Sequence, residues 1–241
     1  MKRKAMNILA MALIPTMVLA SDFKSESPVP VSHVFSPAGF DSNDNVELLV
    51  TGYLPNLCYR APKSSVSIKN GKISIEVVAN KKQSGLTLCA AVIVPFVESI
   101  KIGVLDKGKY DIRVNENTSF AKKSMIAISE AMSTSIDDVV YANVDEIIRE
   151  DENTRKVVLK GYNPSDCFEL KEIVVLDNEV DTYSVLPKMK QVKAHCPKKM
   201  IPFSYEMEVP EKLEANKVLL HVRVMDGRSV NSIFNNKPMM E

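Results

Sequence analysis

His195 and Cys196 are adjacent and Met200 follows, and imidazole, thiolate and thioether together are the donors of a blue-copper site. Such a site needs a second histidine. The remaining two, His33 and His221, stand in the entry arm and inside an alternating apolar run. Cys89, the counterpart of Cys196 in the first half of the chain, follows Leu88 and has no histidine near it. The reading left is a disulfide beside an exposed histidine. Three histidines so scattered also supply neither a Ser/His/Asp triad nor a zinc site.

Asp41-Ser42-Asn43-Asp44-Asn45 has the hard oxygen donors that suit calcium, in the order that opens a calcium loop. An EF-hand would need Gly at the sixth position and Glu at the twelfth, where this chain has Val46 and Gly52. The string also resembles the linker motif of cadherins, without their companion acidic motifs. A solvated turn between strands is expected here, with weak calcium binding as the rival. The pairs Asp137-Asp138 and Asp145-Glu146 could do acid–base work, but neighbours on a strand point to opposite faces. Lys81-Lys82, Lys122-Lys123 and Lys198-Lys199 lack the interleaved aromatics of a nucleic-acid surface and read as solvated loops. Tyr59-Arg60-Ala61-Pro62, directly after Cys58, is a braced segment that a protease could engage. No phosphate-binding glycine loop, nucleophile elbow or HExxH helix occurs. The expectation is therefore no catalytic residue, no metal and no cofactor.

What must position these residues is a repeated unit. Gly52, Tyr53, Pro55 and Cys58 meet Gly161, Tyr162, Pro164 and Cys167 at an offset of 109. Cys89 and Pro95-Phe96 meet Cys196 and Pro202-Phe203 at an offset of 107, and Ile112-Arg113-Val114 falls on Val222-Arg223-Val224 at 110. Three anchors in one order indicate a duplicated domain, since solenoid repeats run only about 20–50 residues. Duplication also pairs the four cysteines as Cys58–Cys89 and Cys167–Cys196, because a single ancestral domain had to satisfy its own pair.

Inside each unit the apolar period is two. Val66 and Ile68 alternate with serines, Asn70-Gly71 follows, and Ile73, Ile75 and Val77 resume the alternation, which predicts a hairpin on a turn with positive φ. Further strands are expected over 46–50, 86–94, 100–104 and 110–114, then 157–159, 173–176, 180–186, 205–209 and 218–224. The fold class is all-β: two tandem antiparallel β-sandwiches. The boundaries are a signal peptide at 1–20, an N-terminal arm at 21–29, the first sandwich at 30–115, a linker at 116–136, the second sandwich at 137–235 and a tail at 236–241. On this architecture the halves resemble the immunoglobulin-like or fibronectin-type sandwiches of bacterial exported proteins. The chain has no Trp, so the buried Trp of true immunoglobulin domains is missing. In related sandwiches a tyrosine braces a corner, which implies that role for Tyr53 and Tyr162, each after a Gly that lets the strand bend and before Pro55 or Pro164.

Lys2, Arg3 and Lys4 precede an apolar run from Ala5 to Ala20 that ends in Val18-Leu19-Ala20, the order of a signal peptide cut after Ala20. Its loss takes the formal charge from +1 to −2. The mature chain has no basic surplus for nucleic acid and no second apolar run for a membrane span. A periplasmic or secreted, non-enzymatic binding or structural protein of the cell envelope is expected, with a protein or glycan as partner. The alternative is a protease inhibitor or periplasmic chaperone acting through the loops of one sandwich.

Overall fold

The computed structural model describes residues 24–82, 88–151 and 154–236. The segment 1–20 lies outside them. In the first half, β2 (Val31–Phe35), β4 (Val46–Leu54) and β7 (Val94–Gly103) form one sheet in that order. Facing it run β5 (Tyr59–Lys69), β6 (Lys72–Lys82), β8 (Gly108–Val114) and β9 (Lys122–Ser129). β1 (Lys24–Pro28) extends the row of β8 along β6, and β3 (Phe40–Asp41) lies against the end of β9. Leu48, Val50 and Ile100 from the first sheet meet Ile73, Ile75, Ile112 and Val114 from the second, all at most 1% exposed. This is a β-sandwich.

The second half repeats the strand order. β10 (Val144–Arg149), β11 (Lys156–Asn163) and β14 (Ile201–Glu208) form the small sheet; β12 (Phe168–Asp177), β13 (Thr182–Gln191), β15 (Lys217–Val224) and β16 (Arg228–Asn235) form the large one. Val144 and Leu159 meet Tyr183, Val185, Val218 and Val222 in its core.

Several expectations need correction. The sheets are not wholly antiparallel: β6 and β8 run parallel, as do β13 and β15, and β3 and β9. The strand between each large-sheet parallel pair, β7 or β14, lies in the opposite sheet, so the chain returns to the large sheet in its former direction. The N-terminal arm contains β1, and the segment taken as a linker contains β9, an edge strand with Ile126 and Ile128 in the first core. Within 86–94, Leu88 to Ile93 are not strand, and Val94 opens β7. Both Leu57 N–H and Val92 N–H donate to Ala90 O, turning the chain beside Cys89. The hairpin between β5 and β6 does carry positive φ at Asn70 (51°) and Gly71 (73°).

The repeated Gly-Tyr and Pro-Phe pairs are two sides of one device. Gly52 lies opposite Phe96, and Gly161 opposite Phe203. Neither glycine has positive φ, so the strand bend expected there is not their purpose. Their missing Cβ is. At Gly52 it would sit 2.3 Å from Pro30 O and 2.5 Å from Phe96 Cζ; at Gly161, 2.1 Å from Asn143 O and 2.9 Å from Phe203 Cζ. Backbone from one neighbouring chain segment and an aromatic ring from the other occupy that space. Gly52→Ala or Gly161→Ala should cost about 1–3 kcal/mol through overpacking. Urea denaturation checks this, and an unchanged midpoint would refute it.

Tyr53 N–H donates to Pro30 O at 3.1 Å and Tyr162 N–H to Asn143 O at 3.2 Å, so both tyrosines turn their backbone groups away from β7 and β14. Their opposite numbers, Pro95 and Pro202, therefore point the position that lacks an N–H at the open edge of each small sheet. That deters strand addition there. Tyr162 is 44% exposed, and among the described residues neither tyrosine hydroxyl has a hydrogen-bond partner, so the expected tyrosine brace is absent. Asn56 and Ser165, also equivalent, hold the turn instead: their side-chain oxygens accept the N–H of Cys58 at 3.0 Å and Cys167 at 3.2 Å.

Candidate functional site

The four cysteines stand as two pairs at disulfide distance, Cys58–Cys89 and Cys167–Cys196, with Cα atoms 5.4 Å apart in each. Cys196 is thus no thiolate ligand beside His195. Tyr59-Arg60-Ala61-Pro62 is built into β5 opposite Lys81, Asn80 and Ala79, with Ala61 at φ 50° in a bulge. It is a ladder segment and not the exposed loop an inhibitor would present. Asp145 and Glu146 are both exposed at the irregular start of β10.

The Asp41–Asn45 string is more than a solvated turn, because Asp44 is buried in the joint between the sandwiches. There Arg223 on β15 donates to Asp44 and, at 2.8 Å, to Asp137, and a further donation reaches Gly39 O at 2.9 Å. Its guanidinium lies near the rings of Phe40 and Tyr141, 5.3 and 5.0 Å from their centroids. The Asp44 carboxylate is thus committed to a guanidinium, and the Asn43 amide to Ser133 O and Asp138. Burial and the neighbouring Asp44 carboxylate push Asp137 up against the pull of Arg223, and burial pushes the Tyr141 hydroxyl up to about 12. Asp138, the other member of its pair, accepts Met132 N–H, Ser133 N–H and the Asn43 amide, closing the turn after β9.

Beside the triad, Phe35 and Leu49 pack on Leu219, and a polar chain crosses the same joint. His221 Nδ1 donates to Asn231 Oδ1 at 2.8 Å, and the Asn231 amide donates to Glu47 at 2.7 Å. Burial pushes His221 down and keeps it neutral, which makes Nδ1 the protonated nitrogen and leaves Nε2 a buried acceptor with no protein partner. Burial alone would raise Glu47, but the bonds from Ser229 and Asn231 outweigh it and hold it low.

At one margin of the joint opens a cleft of about 530 Å³. Ser32 to Val34 of β2, Asp111 and Arg113 of β8 and Lys122 to Met125 of β9 line it from the first sandwich, and Asn178, Val180 and Asp181 from the second. Its wall is fixed across the joint. His33 Nε2 lies 2.6 Å from Asp181 Oδ2, Asn178 Nδ2 donates to Ser36 O at 3.1 Å, and Ala38 N–H donates to Ser184 Oγ at 3.0 Å. The turn that presents Asp181 is closed by Asn178, whose Oδ1 accepts three backbone N–H groups from Val180 to Thr182; this also starts β13 at Thr182 rather than Val180.

Burial would raise Asp181, yet the bonds from His33, Asn178 and Thr182 hold it below its ordinary value of 3.8. A carboxylate held low contributes stability above its unfolded pKa and loses it as pH falls through the folded value. The urea midpoint should therefore decline below about pH 4, and Asp181→Asn should show a smaller decline. An equal decline in that variant would refute the contribution.

Sequence reasoning found the cysteines and missed the joint and the cleft. A signal for the joint was present. On β15, Val218, Leu220, Val222 and Val224 fill the core, while Leu219, His221 and Arg223 point outward and are still at most 5% exposed. The matching outward positions of β8 are Lys109, Asp111 and Arg113, none of them buried. Comparing the two halves at equivalent outward positions marks the covered face. Nothing comparable marks His33 with Asp181, which are 148 residues apart.

Among the described residues no group of His, Cys, Asp and Glu could hold a metal ion, and no helix is long and apolar enough to cross a membrane. No curated protein and no solved structure shows a significant match to the chain. Residues 48–122 match the family model described as the ORF11 beta-sandwich domain, a stretch that runs from within β4 to the first residue of β9 and includes Gly52, Cys58, Cys89 and Phe96.

Proposed function

We propose that this chain is an exported, non-enzymatic binding protein of the cell envelope, built of two duplicated immunoglobulin-like sandwiches, whose protein partner seats in the cleft at His33 and Asp181. The observation that carries the reading is the cleft itself: a space lined by charged, polar and apolar side chains whose walls come from both sandwiches and are held in place by a buried ionic joint. Duplication is supported by the shared strand order, the matched cysteine pairs and the Gly–Phe device. Export is supported by two disulfides, which persist in oxidising compartments, and by the basic-then-apolar start of the chain. The described lining includes no Phe, Tyr or Trp on which a sugar ring could stack, which favours a protein over a glycan. Amine-reactive cross-linking of the protein in envelope extracts, read by peptide mass spectrometry, tests it. Partner adducts are expected at Lys122 and Lys123, and adducts confined to Lys156 and Lys160, on the far sheet of the second sandwich, would overturn it.

A further inference from the structure

We propose that the cleft takes an extended acidic peptide, which adds as a strand to the free side of β9 at Lys122–Met125 and sets its carboxylates against Lys123 and Arg113, which share one face of the sheet. This deepens the binding-protein reading and rests on it.

The free edge is the first observation. β9 pairs with β8 from Lys122 to Ile128, but on its other side β3 covers only Ile128 and Ser129. Upstream, the chain leaving β2 closes on β9 at Ser36, whose hydroxyl meets that of Ser124 at 2.7 Å. From Ser124 back to Lys122, β2 pairs with β4 instead, and the side of β9 away from β8 has no ladder partner among the described residues. Alternate N–H and C=O groups of this stretch therefore face the cleft side, in the row that β3 begins. An added strand satisfies such groups directly. The volume of about 530 Å³ falls within the range of about 300–1,000 Å³ seen for ligand pockets.

Charge selects the occupant. Among the described residues neither Lys122 nor Lys123 has an ion-pair partner, and Arg113 reaches Asp111 only at 3.4 Å. Asp181, the other carboxylate on the wall, is already engaged by His33, Asn178 and Thr182. Lys122 lies on the inward-facing side of this edge strand, in line with Ser124, Ile126 and Ile128, where a charge deters pairing with a second copy by placing lysine against lysine. A strand carrying carboxylates at alternate positions meets no such repulsion. This side of β9 also lacks the edge proline that guards β7 and β14.

The test is fluorescence anisotropy of the exported protein with a labelled, capped peptide, Glu-Val-Glu-Val-Glu. Binding is expected to weaken about tenfold or more in Arg113→Glu/Lys123→Glu, and to fall between low and physiological salt. The same peptide N-methylated at alternate backbone nitrogens, and a Lys-Val-Lys-Val-Lys peptide, should fail to compete, as should inorganic phosphate. Equal competition by the N-methylated peptide would refute strand addition, and equal competition by phosphate would reduce the site to an anion site. No binding of the acidic peptide, with partner adducts still on Lys122 and Lys123, would overturn the peptide proposal and leave the binding-protein reading standing. Adducts that avoid those lysines would overturn that reading itself.

Discussion

Arg223→Met is expected to cost about 3–5 kcal/mol, because it leaves Asp44 and Asp137 buried without their cation. Arg223, Asp44 and Asp137 have side chains 6%, 1% and 7% exposed, so water cannot take the place of the guanidinium. The variant should also change its response to acid. With Arg223 gone, burial and the facing Asp44 carboxylate raise Asp137 further above its unfolded pKa, so the deficit is full at neutral pH and shrinks as pH falls and Asp137 takes up a proton. Adding Asp44→Asn and Asp137→Asn should recover most of the loss, since the joint is then neutral. Urea denaturation at pH 7 and pH 5 measures all of this. A loss below about 1 kcal/mol would mean that the triad is not the fastening described here.

Removing either cysteine pair as Cys58→Ser/Cys89→Ser or Cys167→Ser/Cys196→Ser should cost about 3.5 kcal/mol in the chain-entropy account, for loops of 31 and 29 residues of separation. Two independent cores would leave the other sandwich nearly untouched. The joint argues otherwise. Unfolding the first sandwich strips Asp44 and Glu47 from Arg223 and Asn231, and exposes Leu219. Differential scanning calorimetry should therefore show one transition moving down in either double variant. Two separated transitions, one of them unmoved, would show that the joint does not couple the cores. Non-reducing peptide mapping of the parent protein should recover only the two within-sandwich bridges.

What was legible in the sequence was local or repeated. Asn70-Gly71 between alternating runs specified its hairpin because only that turn chemistry supplies two positive φ values in a row. The cysteine pairs followed from matched positions in the two halves of the sequence. The repeated Gly-Tyr is visible as a signal but not its cause, since each glycine answers to Phe96 or Phe203, some forty residues later and across the sheet. Parallel pairing of β6 with β8 was hidden because apolar alternation does not report strand direction. β9 was read as linker because an edge strand with lysines and serines on half its positions has weak contrast. The joint lay out of reach for a different reason. Asp44, Asp137 and Arg223 come from three distant segments, and single residues carry no mark of the partner they will meet.

The outward face of β15 has a consequence for how many molecules can join. It docks on the face of β4 that carries Glu47 and Leu49, a head-to-tail contact between two units of the same strand order. Head-to-tail contacts do not close on themselves by symmetry; repeated, they generate rings or open filaments. In this chain the series stops after one step. The unused face of β8 carries Lys109, Asp111 and Arg113, and the unused face of β11 carries Lys156, Val158 and Lys160, so the two ends that would meet in the next molecule are both rich in positive charge. Three lysines and Arg113 thus oppose the addition of a further unit, and their replacement by leucine should favour head-to-tail growth from a single chain toward a fibre.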